Sequence, residues 1–306
     1  MFDLIIIGGG PAGVAAGVYA ERKKLKTLFI TGEFGGQSVV SEGIENWIGT
    51  IKIPGTDFAK ALKDHLLAYV GDTVMVKESE WVTDIKKDGD GFKTVTDKGE
   101  YLSKTVLIAT GSTRRKLGVP GAAEFDNKGL TYCASCDGPL FSGQDVVVIG
   151  GGNAAFETAA QLLAYCKSVT LLVRSENIKA DEITVTKLSN NPNLKLIKNA
   201  VPLEVKGNKF VNGFVYEDAV SKEKVELAIS AVFVEIGLIP TTDFAKNIIT
   251  LNKIGQIPVD PKNQETEVKG IWAAGDSTDG LYHQNNIAAG DAVKALEDIY
   301  LHLHTK

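Results

Sequence analysis

Twice in this chain an apolar run leads straight into a glycine-rich turn and then into an alanine-rich segment, and this repeated order limits the fold more than any other feature. Leu4 to Ile7 precedes Gly8-Gly9-Gly10-Pro11-Ala12-Gly13; alanine-rich sequence then continues to Arg22, and a second apolar run spans Thr27 to Ile30. Val146 to Ile149 precedes Gly150-Gly151-Gly152-Asn153-Ala154-Ala155, a helix-like stretch to about Cys166 and another run from Ser168 to Val173. A short, wholly apolar run reads as a parallel strand covered on both faces. In the strand, turn and helix that follow, the first glycine permits the tight turn, the second lets backbone approach a pyrophosphate, and the third position keeps helix close to strand. The helix N-terminus then faces the phosphate charge. One such fingerprint is weak evidence. Two in the right context predict an α/β chain with two Rossmann-like, three-layer nucleotide-binding domains, able to hold a flavin and bring a nicotinamide to it.

The remaining composition narrows the chemistry. A chain of 306 residues has room for two domains, and 44% apolar content is that of a globular protein. A net charge of -5, with basic clusters no longer than Arg22-Lys23-Lys24 and Arg114-Arg115-Lys116, argues against nucleic acid or an anionic membrane as partner. The N-terminus does not read as a leader, and no apolar run reaches the roughly 18 residues of a membrane span, so a cytoplasmic protein is expected. Thiols are kept reduced there, which makes the close pair Cys133 and Cys136 in TYCASCDGPLF catalytic or metal-binding rather than a permanent staple. Structural zinc usually needs four ligands. The other candidates are Cys166 and the scattered His65, His283, His302 and His304, so no metal is expected. What remains is a dithiol that opens and closes a disulfide and needs a source of electrons.

The segments IIIGGGPAG, GEFGGQ, IENWIG, LIATGS, YCASCDG, VIGGGNAAFE and WAAGD, in this order, resemble the low-molecular-weight thioredoxin reductase family of flavoproteins over essentially the whole chain. CDGPLF is also similar to the reductase module of alkyl hydroperoxide reductase flavoproteins. That larger protein carries a further N-terminal thioredoxin-like region, whereas this chain begins at its first nucleotide-binding strand. The resemblance implies a discontinuous FAD domain, residues 1–113 and 245–306, into which an NAD(P) and disulfide domain, residues 114–244, is inserted. The crossings are expected near Ser112 to Arg115 and near Ile239 to Thr242, where Gly, Pro and Thr punctuate the pattern. Rotation of the two domains as rigid bodies and a homodimer are implied as well.

The family's functional positions map onto this chain one by one. Around FAD they imply Gly8, Gly10, Pro11, Ala12 and Gly13 at the pyrophosphate, Gly36 and Gln37 in the loop beside the flavin, Asn46 of the ENW motif, and the turn Ala109-Thr110-Gly111. The ribose acid expected on the next strand is represented only by Glu33 after Ile30-Thr31-Gly32, an ending that the family shares. Gly275-Asp276 follows the run Ile271 to Ala274; Asp276 would accept a hydrogen bond from the ribityl chain, its bland alternative being a helix N-cap. Where the family has Arg-Gln this chain has His283-Gln284, and a lone histidine there reads mainly as a surface residue. A last helix from about Asn286 to His302, with Ile287, Val293, Leu296 and Ile299 apolar, would direct its N-terminus at the flavin's pyrimidine edge.

For the second cofactor the implied contacts are Gly150, Gly152, Asn153 and Ala154, followed by Arg174, Ser175 and Lys179. NADPH-using relatives carry a denser set of arginines at these last positions. The three side chains here can still donate together to a 2′-phosphate, so NADPH is expected, with NADH as the alternative. By resemblance, hydride passes from the nicotinamide to FAD, reduced FAD opens the Cys133–Cys136 disulfide, and the dithiol reduces thioredoxin or a thioredoxin-like protein. Cys136 faces the flavin, Cys133 attacks the substrate, and Asp137 protonates the departing thiolate. Taken alone, Asp137 could be an ordinary turn residue, and Cys166 reads as a small buried hydrophobe. The rival readings are a different disulfide partner, such as an alkyl hydroperoxide, peroxiredoxin or glutaredoxin-like system, a ferredoxin- or oxygen-linked flavoenzyme, and a non-catalytic flavin-binding module.

Overall fold

The computed structural model describes residues 1–41, 43–69, 71 and 73–305, except the side chains of Val40, Tyr69, Ser135 and Cys136. The chain divides into two compact units, residues 1–113 with 239–306, and residues 114–238. The return crossing therefore falls between 238 and 239. The segment after it belongs to the first unit through Thr110 Oγ1 donating to Thr241 O at 2.6 Å, Thr241 N to Gly111 O at 3.0 Å and Thr242 Oγ1 to Gly255 O at 2.5 Å.

The first unit begins with β1 (Phe2–Gly9), α1 (Pro11–Arg22), β2 (Thr27–Phe34), α2 (Gly55–Tyr69), β3 (Val74–Glu78), β4 (Val82–Asp88), β5 (Gly91–Thr96) and β6 (Glu100–Ile108). Among the described residues its sheet runs β3-β2-β1-β6-β5-β4, and a late strand, Ile271–Ala273, also pairs with β6. The centre is parallel and the β4-β5-β6 arm is antiparallel. Successive strand residues face opposite ways, so one apolar run fills two layers. Leu4 and Ile6 pack with Phe29, Leu107 and the helices, while Ile5 and Ile7 pack with Leu28, Val106, Phe92 and Ile257 on the other face. β2 continues past Ile30 to Phe34, where Gly35 N donates to Gly9 O at 2.9 Å.

The second unit contains β7 (Ser112–Arg114) at the entry crossing, then β8 (Leu130–Thr131), α3 (Ala134–Asp137), β9 (Asp145–Ile149), α4 (Asn153–Leu162), β10 (Ser168–Leu172), α5 (Glu182–Ser189), β11 (Leu194–Ile197), β12 (Ala200–Gly207), β13 (Val211–Asp218), β14 (Lys224–Ala228) and β15 (Ala231–Val234). Five parallel strands lie in the order β11-β10-β9-β15-β8, and β12-β13-β14 form an antiparallel layer over them. Val147 and Ile149 face that layer with Phe214 and Val205; Val146 and Val148 face α4 with Phe156 and Leu162. Helix α4 ends at Leu162, short of the expected Cys166, because the next backbone bonds tighten: Ala164 N to Gln161 O and Tyr165 N to Leu162 O, each 3.1 Å. Cys166 is a free thiol, buried as expected, and burial pushes its pKa up to about 11.

The chain returns through β16 (Leu238–Pro240), β17 (Ile271–Ala273) and α6 (Asn285–Thr305). The buried stripe of α6 is Ala288, Ala292, Ala295, Leu296 and Ile299, whereas Ile287, expected in the core, is exposed. The reason lies in α1, whose Ala12, Ala16 and Ala20 share this cluster: two helices lined with alanine approach closely, which a row of large side chains would prevent. No helix among the described residues is long and apolar enough to cross a membrane.

Trp272 of β17 is fully buried, and its Nε1 donates to Asp298 Oδ2 of α6 at 3.0 Å, an oxygen that also accepts from Asn263 Nδ2 at 3.0 Å. Asp298→Ala strands the indole N–H inside the core. It should lower the stability of the first unit by roughly 1–3 kcal/mol, read from chemical denaturation followed by tryptophan fluorescence.

Candidate active site

The first glycine turn is built by exclusion. Gly8 has φ +116°, and a Cβ there would lie 2.3 Å from Ala109 O. A Cβ at Gly13 would lie 1.8 Å from Gly8 O, so only glycine lets α1 sit this close to β1. At Gly10 a Cβ would meet nothing within 4 Å: the turn faces open space at the position where a pyrophosphate approaches. Pro11 occupies the first turn of α1, where no N–H is needed, and Gly10 as N-cap has no side chain to occupy the helix's free N–H groups. Gly9, which sequence reasoning passed over, is equally constrained, since its Cβ would be 2.4 Å from both Glu33 O and Thr31 Oγ1. Glu33 itself is exposed at the end of β2.

The other residues expected around the first cofactor gather on the same rim. Ala109 N donates to Ile7 O at 2.8 Å, which sets Ala109-Thr110-Gly111 beside the end of β1. A Cβ at Gly36 would lie 3.7 Å from Gly10 Cα, and Gln37 Nε2 donates to Ser112 Oγ at 3.2 Å. Gly275 lies against Ala12 and Ala288. Asn46 Nδ2 donates to Gln284 Oε1 at 3.1 Å and Asn286 Nδ2 to Asn46 O at 2.7 Å, while Ser38 Oγ donates to Asn285 Oδ1 at 2.9 Å. Asn285, Asn286 and Ser38 were not singled out in the sequence; the polar run just ahead of an alanine-rich helix was their only signal.

Asp276 and His283 depart from their bland readings. Asp276 lies in a short turn, Gly275–Ser277, whose N-cap is Ala274, so it caps no helix. Its Oδ1 is 3.5 Å from Nδ1 of His283, and the two side chains are 26% and 25% exposed, so the histidine is a half-buried partner of the aspartate rather than a surface residue. The hydrogen bond to Asp276 raises the His283 pKa from 6.5, against the opposing effect of burial.

The second turn repeats the construction. A Cβ at Gly150 would lie 2.3 Å from Glu235 O and 2.7 Å from Ala155 Cβ, and one at Gly151 would lie 2.8 Å from Val173 Cγ1; at Gly152, the N-cap of α4, there is open space. Ala154 occupies the first turn of α4. The Asn153 side chain holds the segment that follows β10, accepting from Asp181 N at 2.8 Å and donating to Asp181 Oδ2 at 3.1 Å, and Lys179 N donates to Gly151 O at 2.8 Å. Arg174, Ser175 and Lys179 lie beyond β10, the first two exposed and Lys179 also turned to solvent in part or whole. Ser175 Oγ already donates to Asn177 O at 2.8 Å, which leaves the two cations as the expected donors to a phosphate. Glu176 accepts from Lys198 Nζ and Asn199 Nδ2, each at 2.9 Å, and the lysine bond lowers its pKa.

Glu235, just beyond β15, was also missed. Thr158 Oγ1 donates to its carboxyl at 2.9 Å, Arg114 Nη1 lies 3.9 Å away, and burial raises its pKa above 4.5. It follows an unbroken apolar strand, which was the signal available.

Cys133 is disulfide-bonded and stands at the N-cap of α3; the side chain of Cys136 lies outside the described residues. The Asp137 carboxyl accepts a hydrogen bond from Thr131 Oγ1, which in turn accepts from Cys133 N at 3.3 Å, and Asp137 N donates to Cys133 O at 3.1 Å. Thr131, unremarked in the sequence, thus ties the cysteine's backbone to the carboxyl.

Residues 2–292 match the pyridine nucleotide-disulphide oxidoreductase family. An NADH dehydrogenase of Bacillus subtilis is 40% identical over 96% of this chain and 57% of its own length, and the alkyl hydroperoxide reductase flavin-type relative from Pseudomonas aeruginosa is 39% identical over 99% of this chain and 58% of its own. The chain therefore spans somewhat under three fifths of these curated relatives. The crystal structure of a thioredoxin reductase from Streptococcus pyogenes, 33% identical, covers 100% of this chain and 99% of that one with a TM-score of 0.87. The chain belongs to the pyridine nucleotide-disulphide oxidoreductase family, and its α/β fold is that of the thioredoxin reductases.

Proposed function

We propose that this protein is a disulfide reductase that binds FAD at the first glycine turn and NAD(P)H at the second, and passes electrons through Cys133 and Cys136 to thioredoxin or a thioredoxin-like protein. The observation that carries this reading is the presence, in one chain, of two strand-end turns cleared of side chains by glycine together with a disulfide-bonded Cys133 tied through Thr131 to a carboxyl. The flavin, when bound, would supply the two-electron chemistry that connects a nicotinamide to a disulfide. Gly8, Gly10 and Gly13, with Pro11 and Ala12, would hold its pyrophosphate by backbone; Gly36, Gln37 and the turn Ala109-Thr110-Gly111 would flank it. Asp276 would accept from the ribityl chain, with His283 opposite, and the Asn46–Gln284 pair would present amides to the polar edge of the ring. The first unit is then the FAD domain and the second the NAD(P) domain.

In the thiol half-reaction, the Cys133 thiolate attacks the partner's disulfide and forms a mixed disulfide; Cys136 attacks the sulfur of Cys133. The partner leaves as a dithiol while the protein's pair closes. Asp137 would hand a proton to the departing thiolate, and Thr131 orients its carboxyl. Such a dithiol cycles in a reducing compartment, which supports a cytoplasmic setting. Exposed Ile48, Ile51, Leu281 and Tyr282 on the first unit support self-association as a homodimer. A second reading, in which the dithiol serves an alkyl hydroperoxide-reducing partner, is supported by the match to alkyl hydroperoxide reductase.

The test is an anaerobic titration of the yellow, FAD-loaded protein with NADPH and NADH, followed by turnover with thioredoxin. Colourless, folded protein that takes up no FAD would overturn the proposal. Cys133→Ser and Cys136→Ser should each abolish turnover and leave flavin bleaching by the nicotinamide intact, while Cys166→Ser should turn over normally.

The choice of nicotinamide rests on Arg174 and Lys179. If they contact a 2′-phosphate, the double change to alanine should weaken NADPH use and spare NADH, each lost charge-assisted bond costing roughly 1.5–3 kcal/mol. An unchanged NADPH/NADH ratio of kcat/KM would favour NADH, which the commitment of Ser175 to Asn177 and the match to NADH dehydrogenases also support.

The Asp276–His283 pair makes a pH-dependent contribution. Because the folded pKa of His283 is raised, its stabilisation is fully present below the ordinary histidine value and disappears as pH rises through the raised one. The His283 ring signal followed by NMR should titrate above 6.5, and Asp276→Asn should bring it down.

A further inference from the structure

The parallel sheet of the second unit reverses its winding at β9. From that strand the chain winds through α4 to β10 and β11 on one side, and returns to lay β15 and β8 along the other. In open parallel sheets a dinucleotide lies outside the carboxyl ends of the strands at such a reversal, one half to each side. The glycine turn and residues 174–179 occupy the β10 side. The β15 side is left to the opposite half of the ligand, and the first side chain beyond β15 is Glu235.

Its position is fixed from three directions. Glu235 N donates to Ile149 O at 2.8 Å, and its carbonyl abuts Gly150 so closely that a Cβ there would lie 2.3 Å away. The carboxyl, on a side chain 15% exposed, accepts one hydrogen bond among the described residues, from Thr158 Oγ1 of α4. Arg114 at 3.9 Å is too far for a hydrogen bond, and Glu157 adds like charge from α4. A carboxylate has about four lone-pair positions, so this half-buried anion is left largely unmatched at the end of the sheet.

We propose that the Glu235 carboxylate lies against the nicotinamide ring of the bound dinucleotide and favours the oxidised, cationic ring over the neutral reduced one. The inference rests on the second unit being the nicotinamide site. The two forms of the cofactor differ by one positive charge on the ring, and an anion in a water-poor site discriminates between them by direct attraction. Tighter holding of the form that remains after hydride has left draws the reaction toward donation. Glu235 thereby sets direction as well as affinity. Burial raises its pKa, with Arg114 opposing and Glu157 reinforcing the shift. The preference for the oxidised form should therefore be weak where the carboxyl is protonated and grow as pH rises through that pKa.

The test uses the FAD-loaded full chain and two probes, NAD(P)+ and the tetrahydro analogue of the reduced cofactor, which is neutral and cannot donate hydride. Glu235→Gln keeps an acceptor for Thr158 and removes the charge. It should weaken NAD(P)+ binding about tenfold and leave the analogue within about twofold, and the pH dependence of their affinity ratio should vanish. Glu235→Asp should retain the preference. An unchanged ratio in Glu235→Gln, with both probes still bound, would overturn this inference and leave the nicotinamide site standing. Failure of the unaltered protein to bind either probe would overturn both. If Glu235→Gln does not fold, the ratio in the unaltered protein decides the matter: independence from pH would remove the proposal.

Discussion

At Gly13 the backbone of α1 comes so near the end of β1 that a Cβ would stand 1.8 Å from Gly8 O, and the arrangement of the first unit follows from that approach. With helix and strand in contact, α1 can lie along α6 through Ala12, Ala16, Ala20, Ala288, Ala292 and Ala295, and the rim beyond β1 is left bare of side chains. The second unit meets the same demand differently. There Gly150 clears the carbonyl of Glu235, and alanine at position 155 fills the space that Gly13 leaves empty in the first unit, with its Cβ already 2.7 Å from where one at Gly150 would be. Both turns are defined by volumes that side chains must not enter. A helix N-terminus then supplies the field for an anion.

Charge and hydrogen bonding divide the labour among the titratable groups. His283 and Asp276 support each other's charged forms at the rim of the first unit. Glu235 is held in the second with one hydrogen bond and a distant guanidinium. The contrast between two cysteines makes the same point. Cys166, sealed among apolar neighbours of α4 and β10, has a thiol raised to about 11 and so holds its proton, whereas Cys133 sits at the start of a short turn whose carboxyl and hydroxyl are already joined. A thiol is useful for exchange when its surroundings tolerate the thiolate, and only one of these environments does.

The periodic and steric features of the chain were legible from its order alone. Wholly apolar tetrapeptides such as Leu4 to Ile7 and Val146 to Ile149 can serve two faces only as central strands, and glycine at positions 8, 13 and 150 is demanded by contacts that any strand-turn-helix unit makes. The spacing of Cys133, Cys136 and Asp137 placed all three on one short helix. Those properties belong to neighbours along the chain.

What the tertiary structure alone decided involves partners far apart in sequence. Ile287 is exposed because helix α1 demands small residues from α6. His283 is drawn inward by Asp276; Asn46 finds Gln284 and Asn286 more than two hundred residues away; Ser175 spends its proton on its own turn; Glu235 meets Thr158 and Arg114. Periodicity reports how a side chain faces its own element, and carries no information about which side chain will stand opposite. The sequence by itself determined the two nucleotide-type folds and the redox pair. The electrostatic surroundings of the sites were set by packing, since a hydrogen bond depends on ångström-scale distances between elements that no local pattern encodes.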